Sequence, residues 1–313
     1  MHMPRFAVVG AGAVGGYYAA RLAHAGCDVG VIARGAHLHA MQARGLWVWS
    51  PLGDLVVHPR VVDRPEALGP VDVVIYAVKT YDNDTALALL PPLLGPDTVV
   101  LTLQNGVSSA DAVGAVVGAA RVLAGPTYIA AALRAPGLIE QTGTHRRIVF
   151  GEVAAPGETV SPRVTALAAV LQHAGIEAEP VADARVPLWE KFIYLAPFAA
   201  VTGAARHPAG VIRSEPRLRA TMTAACAETE AVARAAGIAV ATDVAPRVAA
   251  YLDALPHATR SSLLIDLQAG KRIELDALAG DVVRRAQVLG VPTPVMATLA
   301  SVLAPFAGGA LQN

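Results

Sequence analysis

The strongest constraint on this chain lies in its first fifteen residues. An apolar run over 6–9 leads into Gly10-Ala11-Gly12-Ala13-Val14-Gly15, a G-x-G-x-x-G spacing, and a helical pattern over 14–25 follows, closed by Gly26. The spacing alone is weak. Between a strand and the start of a helix it is specific for dinucleotide binding. Gly10 permits the tight turn, Gly12 lets the backbone approach a pyrophosphate, and Gly15 lets helix pack against strand. Residues 10–15, Ala11, Ala13 and Val14 included, thus form a candidate cofactor loop, with free N–H groups and the positive end of the helix dipole facing the anion. The competing reading is a glycine-rich turn without a ligand.

The next strand, over 29–33, ends at Arg34 with no Asp or Glu beside it. A carboxylate about 20 residues beyond the fingerprint would hold the ribose 2′-hydroxyl of NAD. A guanidinium instead binds a 2′-phosphate through charge-assisted bonds. Arg34 therefore points to NADP(H) over NAD(H), against the alternative of a solvated surface arginine.

Downstream, apolar strands alternate with helical patterns, as in a parallel sheet wound with helices. We read a hairpin around Ser50-Pro51-Leu52-Gly53, strands over 71–78, 98–103, 122–133 and 147–150, a helix over 84–94 that Asp84 would cap, and a helix from Pro162 capped by Ser161. Beyond about residue 184 the pattern is helical. The expected architecture is α/β, with a Rossmann-type parallel-sheet domain over 1–184 and an all-helical domain over 185–313.

Composition narrows the function classes. Lys+Arg and Asp+Glu are 25 each, and this balance argues against nucleic-acid partners. The chain is 54% hydrophobic, yet its longest charge-free apolar stretch, 192–205, is interrupted by Pro197 and Gly203 and is shorter than the roughly 18 residues a membrane span needs. We therefore expect a soluble protein without membrane partners. Cys27 and Cys226 stand far apart, which fits a reducing cytoplasm and no disulfide framework. The nine histidines form no ligand cluster, so no metal is expected; His37 and His39 read as solvated.

Further motifs run along the chain: Val78-Lys79-Thr80, Gln104-Asn105-Gly106, Gly151-Glu152, Trp189-Glu190-Lys191-Phe192, Ser261-Ser262-Leu263-Leu264-Ile265-Asp266, and Glu274-Leu275-Asp276 with Gly280. In order and spacing they resemble the ketopantoate reductase (2-dehydropantoate 2-reductase) family over nearly the whole chain. The resemblance implies NADPH-dependent reduction of a 2-oxo acid, 2-dehydropantoate to pantoate, in a cleft between a Rossmann domain and a helical domain. It makes Lys191 the catalytic lysine and proton donor, Glu274 the active-site glutamate and Ser262 a substrate-binding serine. Asn105 would lie near nicotinamide and substrate, and Lys79 near the cofactor. The residue types suit the chemistry, because hydride addition to a ketone develops an alkoxide that needs a cation or proton donor beside it.

The chain departs from the family at the positions four and eight beyond Lys191, where Leu195 and Ala199 replace asparagines. Ile273 and Ala279 also replace a threonine and an asparagine. Positions i, i+4 and i+8 share a helix face, so both losses would fall on the Lys191 side, unless Tyr194, Thr202 or a water substitutes. The alternatives are thus a paralogue acting on a bulkier or more apolar carbonyl compound and a non-catalytic NADP(H) sensor. Helical second domains of this class often contribute to dimers, which leaves a homodimer open.

Overall fold

The protein is described by a computed structural model over residues 3–310. It divides into two compact units. One holds the chain up to Gln104 together with Ser109–Arg185; the other holds Asn105–Ser108 and the chain from Val186 onward.

The first unit contains strands β1 (Phe6–Val9), β2 (Val29–Ile32), β3 (Leu46–Trp49), β4 (Leu55–Val57), β5 (Arg60–Val62), β6 (Val71–Tyr76), β7 (Leu94–Thr102), β8 (Val122–Ala124), β9 (Thr127–Tyr128), β10 (Ala131–Ala135), β11 (Leu138–Gln141), β12 (Arg147–Glu152) and β13 (Glu177–Asp183). Its helices are α1 (Ala13–His24), α2 (Gly35–Arg44), α3 (Asn83–Ala86), α4 (Ser109–Val117) and α5 (Pro162–His173). The main sheet runs β13-β12-β8-β7-β6-β1-β2-β5, with β9 beside β12. Every pair is parallel except those that β12 makes with β8 and β9. Phe6 and Val8 pack into one apolar core with Tyr17, Tyr18 and Leu22, while Ala7 and Val9 pack into another with Val74, Leu90 and Val113. This two-sided burial is why β1 reads as an unbroken apolar run. The chain proceeds outward from β1 through β2 to β5, then returns to β6 on the other side of β1. The strand order therefore switches between β1 and β6, and in such sheets ligands bind beyond the carboxyl ends at that point.

A second sheet, β10-β11-β3-β4, contains the expected hairpin: β3 and β4 pair antiparallel, and Gly53 donates back to the Ser50 carbonyl at 3.0 Å. Ser161 caps α5, its Oγ accepting from the Val164 amide.

Two elements differ from the sequence expectation. The segment 84–94 is not one helix. It breaks into α3 and short 3₁₀ turns at Leu87–Leu89 and Pro91–Leu93, because Pro91 and Pro92 lack the N–H groups that would close its last turn. The residue preceding α3 in the cap position is Asp82, so Asp84 lies inside the helix and does not cap it. The stretch 122–133 is three strands. A Cβ on Gly125 would lie 2.6 Å from the Phe150 Cβ, and Pro126 cannot donate to a ladder, so the chain leaves β8 there, pairs with β12 as β9, and enters the second sheet as β10.

The second unit is built on helices α6 (Arg185–Ala205, its first residue counted with the first unit), α7 (Ala209–Ser214), α8 (Pro216–Ala235), α9 (Val244–Ala254), α10 (Ser262–Gln268), α11 (Ala279–Leu289) and α12 (Pro294–Leu303). The apolar stretch 192–205 lies in α6, which runs unbroken through Pro197; its Phe192, Ile193, Ala196, Ala199 and Ala200 fill the core of this unit. Among the described residues no helix is long and apolar enough to cross a membrane.

Candidate functional site

In the first unit the fingerprint glycines occupy positions that other residues could not. Gly10 has φ +93°, and a Cβ there would meet the Val78 amide nitrogen at 2.5 Å, just beyond β6. A Cβ on Gly15 would lie 2.2 Å from the Gly10 carbonyl oxygen. Gly12 is the opposite case: nothing stands within 4 Å of its Cβ position, which leaves the backbone open to an approaching group. Gly12 also precedes α1 without any side-chain cap, and the first turn of α1 carries no acidic residue. Buried Ala11 and half-buried Ala13 and Val14 complete the loop. An open approach, uncapped N–H groups and no competing carboxylate fit the pyrophosphate of a dinucleotide.

Arg34 immediately precedes α2, with its side chain 84% exposed and one ion pair, to Asp82, at 3.4 Å. A pair this open contributes about 0–1 kcal/mol and leaves the guanidinium free to exchange partners. Lys79 is half-buried in extended backbone after β6. The segment that carries it is pinned by Gln104, whose amide donates to the Val78 carbonyl at 3.0 Å and to Asn83 Oδ1 at 2.7 Å; the Tyr76 hydroxyl also donates to Asn83 Oδ1 at 3.1 Å.

The second unit brings together Lys191, Asn105 and Glu274. Lys191 Nζ donates to Asn105 Oδ1 at 3.2 Å. Part of the lysine side chain remains accessible, yet its ammonium is enclosed well enough that burial pushes its pKa down to about 8, opposed by the negative charge of Glu274. Glu274 itself is buried. Asn105 is presented by Gly106 (φ +95°), where a Cβ would strike the Ala277 carbonyl oxygen at 2.7 Å. A left-handed, close-packed glycine thus sets the asparagine against the segment that carries Glu274. Ser262 is the exposed first residue of α10, and the cap of that helix is Ser261, which accepts from the Leu264 amide at 3.0 Å.

The apolar positions 195 and 199 of α6 pack in the helical unit. Ala199 is only 1% exposed within the helical core, and Leu195 packs partly against the same core. Position 199 is therefore a packing position and lines no open site. Neither side chain suggested as a substitute has a free hydroxyl: Thr202 Oγ1 bonds Ser261 Oγ at 2.7 Å and the Phe198 carbonyl at 2.5 Å, while Tyr194 stacks on Phe198 and hydrogen-bonds Tyr251.

The sequence profile of the family described as "Ketopantoate reductase PanE/ApbA" matches residues 6–155, and that of "Ketopantoate reductase PanE/ApbA C terminal" matches residues 183–307. The chain belongs to the ketopantoate reductase family. A 2-dehydropantoate 2-reductase of Mesorhizobium japonicum is 33% identical, covering 93% of this chain and 94% of its own. One from Caulobacter vibrioides is 34% identical, covering 96% and 98%. The crystal structure of a 2-dehydropantoate 2-reductase from Geobacter metallireducens matches with a TM-score of 0.89 at 30% identity, over 96% of this chain and 99% of that one.

In this ketopantoate reductase-family chain, sequence reasoning missed two residues of the cofactor half. Gln104 supports the Lys79 segment; its place in the Gln104-Asn105-Gly106 motif was the available signal. His37, read as solvated, is half-buried, with Nε2 2.7 Å from the Ala11 carbonyl and Nδ1 2.9 Å from the Gly137 amide. Its partners lie 26 and 100 residues away, beyond the reach of any local pattern.

Proposed function

We propose that this chain reduces 2-dehydropantoate to pantoate with NADPH. The observation that carries the reading is Lys191, an enclosed lysine with its pKa lowered to about 8, held by Asn105 and facing the charge of buried Glu274. When bound, a nicotinamide dinucleotide supplies the hydride. As the substrate carbonyl becomes an alkoxide, the Lys191 ammonium stabilises the growing negative charge and passes a proton to the oxygen. The neutral amine left behind regains a proton from solvent, so each turnover adds one hydride and one proton across the C=O bond. A pKa near 8 keeps most of the lysine protonated at pH 7 while making it a better acid than an ordinary lysine. Glu274 holds the ammonium in place, and the Asn105 amide and the Ser262 hydroxyl serve as hydrogen-bonding groups for the carbonyl and the carboxylate of the substrate.

Arg34 is the basis for NADPH. It stands at the end of β2 with an exposed guanidinium, and residues 33 and 35 on either side of it carry no carboxylate. The relatives' printed names, and retention of both Lys191 and Glu274, support an enzyme over a cofactor sensor. The argument for a more apolar substrate loses Ala199, Ile273 and Ala279 to the core and rests on partly buried Leu195.

The test is NADPH oxidation with a panel of 2-oxo acids. The expected result is that 2-dehydropantoate gives the highest kcat/KM, with NADPH preferred over NADH. A different 2-oxo acid turned over at least about tenfold better, a difference of about 1.4 kcal/mol in transition-state binding, would replace the substrate assignment.

A further inference from the structure

His37 is the third residue of α2, and its ring is fully engaged by backbone. A main-chain N–H can only donate, so Nδ1 accepts from Gly137 and carries no proton; the proton therefore sits on Nε2 and is donated to the Ala11 carbonyl. Only the neutral Nε2–H tautomer makes both bonds. One end of this strut is fixed. Gly137 (φ +80°) turns the chain between β10 and β11, its carbonyl accepts from the Trp47 amide at 2.9 Å, and a Cβ on it would lie 3.2 Å from the Ala40 Cβ of α2. The other end is the second residue of the cofactor fingerprint. The Ala11 carbonyl shares a rigid, planar peptide unit with the Gly12 amide, and in a trans peptide the two point in opposite directions. Holding the carbonyl on His37 thus aims the Gly12 N–H away from the ring, and Gly12 is the fingerprint glycine with nothing within 4 Å of its Cβ position.

We infer that His37 is a positioning residue for the cofactor: through the Ala11 carbonyl it orients the Gly12 amide toward the pyrophosphate, using the β10–β11 turn as its anchor. This rests on the reading that the loop takes a nicotinamide dinucleotide. Because the strut acts on the pyrophosphate, which NADPH and NADH share, its loss weakens both by the same factor. A histidine that touched the 2′-phosphate directly would matter for NADPH only.

The experiment measures Kd for NADPH and for NADH by titration of wild-type protein, His37→Gln and His37→Asn, with kcat at saturating NADPH. A Gln amide nitrogen reaches the Nε2 position and keeps the Ala11 bond; Asn reaches only the Nδ1 position and loses it. Expected are a loss of about 3–10-fold for both dinucleotides in His37→Asn, the equivalent of one net hydrogen bond, a Kd within about twofold of wild type in His37→Gln, and unchanged kcat in both. Equal affinity of His37→Asn and wild type, a loss confined to NADPH, or Gln no better than Asn overturns the inference while leaving the cofactor reading intact. A wild-type protein that binds neither dinucleotide overturns both. Nitrogen-15 NMR of the His37 imidazole in wild-type protein gives a check independent of variant folding: the Nε2–H tautomer is expected, and a proton on Nδ1 contradicts the strut.

Discussion

Replacing Lys191 by Met keeps a long apolar stem and removes the ammonium, and the structure makes opposite predictions for stability and activity. A fall in pKa from 10.5 to about 8 corresponds to about 3 kcal/mol of unfavourable charge burial at neutral pH. The sign follows from proton binding. The unfolded lysine holds its proton more tightly, so the cost is complete below pH 8, shrinks as pH rises from 8 to 10.5, and vanishes above that. Methionine removes this cost and forfeits the bond to Asn105, worth about 1–2 kcal/mol. The net gain of about 1–2 kcal/mol raises Tm by roughly 2–8 °C at pH 7, and the gap closes toward pH 10.5. Activity moves the other way. Losing the proposed proton donor should cost about 10²–10⁴ in kcat/KM, with the Kd for NADPH unchanged, and the wild-type rate should fall about tenfold per pH unit above pH 8. Thermal denaturation across pH, cofactor titration and steady-state kinetics on one variant read all three quantities. A Lys191→Met protein that is less stable at pH 7 and keeps more than a tenth of the activity would refute the buried-acid argument.

Other perturbations probe other links. Arg34→Glu places a carboxylate where the 2′-phosphate is proposed to sit; NADPH affinity should fall about 10–100-fold and NADH affinity should not, and a variant that kept its NADPH preference would remove the basis for assigning NADP. Gly15→Ala drives a methyl group to 2.2 Å from the Gly10 carbonyl; the expected cost is about 3 kcal/mol with loss of dinucleotide binding, and normal Tm and binding would show the turn to be less tight than described. Glu152 accepts from Arg163 at 2.8 Å and from Ser161 at 2.7 Å, and the Arg163 bond above all holds its pKa below the usual carboxylate value. Its contribution is complete above pH 4.5 and disappears as pH falls through the lowered pKa. Glu152→Gln should cost about 1–2 kcal/mol at pH 7, and the gap from wild type should narrow in acid; a gap independent of pH would exclude the charge as its source.

What the sequence discloses here depends on how local the determinant is. The loop over residues 10–15 was legible because turn, helix start and close packing are all encoded within six residues. The Ser161 cap and the 50–53 turn were legible for the same reason. The helix expected over 84–94 failed because its apolar spacing outweighed the missing donors of Pro91 and Pro92 in the reading, whereas the backbone obeys the donors. The strand expected over 122–133 failed because the obstruction at Gly125 comes from Phe150, 25 residues downstream. The second sheet was half visible: the β3–β4 hairpin is local, but β11 joins β3 in parallel across some 90 residues. In the second unit, Lys191 and Glu274 entered through their motifs, while the meaning of Ala199 came only from the core around it. His37 is the extreme case, since both its partners are backbone atoms and carry no side-chain signature.

The four residues Asn105–Ser108 belong with a unit whose other members begin 78 positions later, at Val186. Neither unit is therefore a contiguous cassette of the gene. A chimera that exchanged only 186–313 with a relative would import a new lysine and a new glutamate but leave the lysine's hydrogen-bond partner, Asn105, under the control of the host sequence. Residues 105–108 and 191 are in this sense inherited as one character. Recombination that separates them is expected to yield folded chains in which Lys191 meets a mismatched hydrogen-bond partner, so a productive exchange should carry the tetrapeptide along with the helical unit.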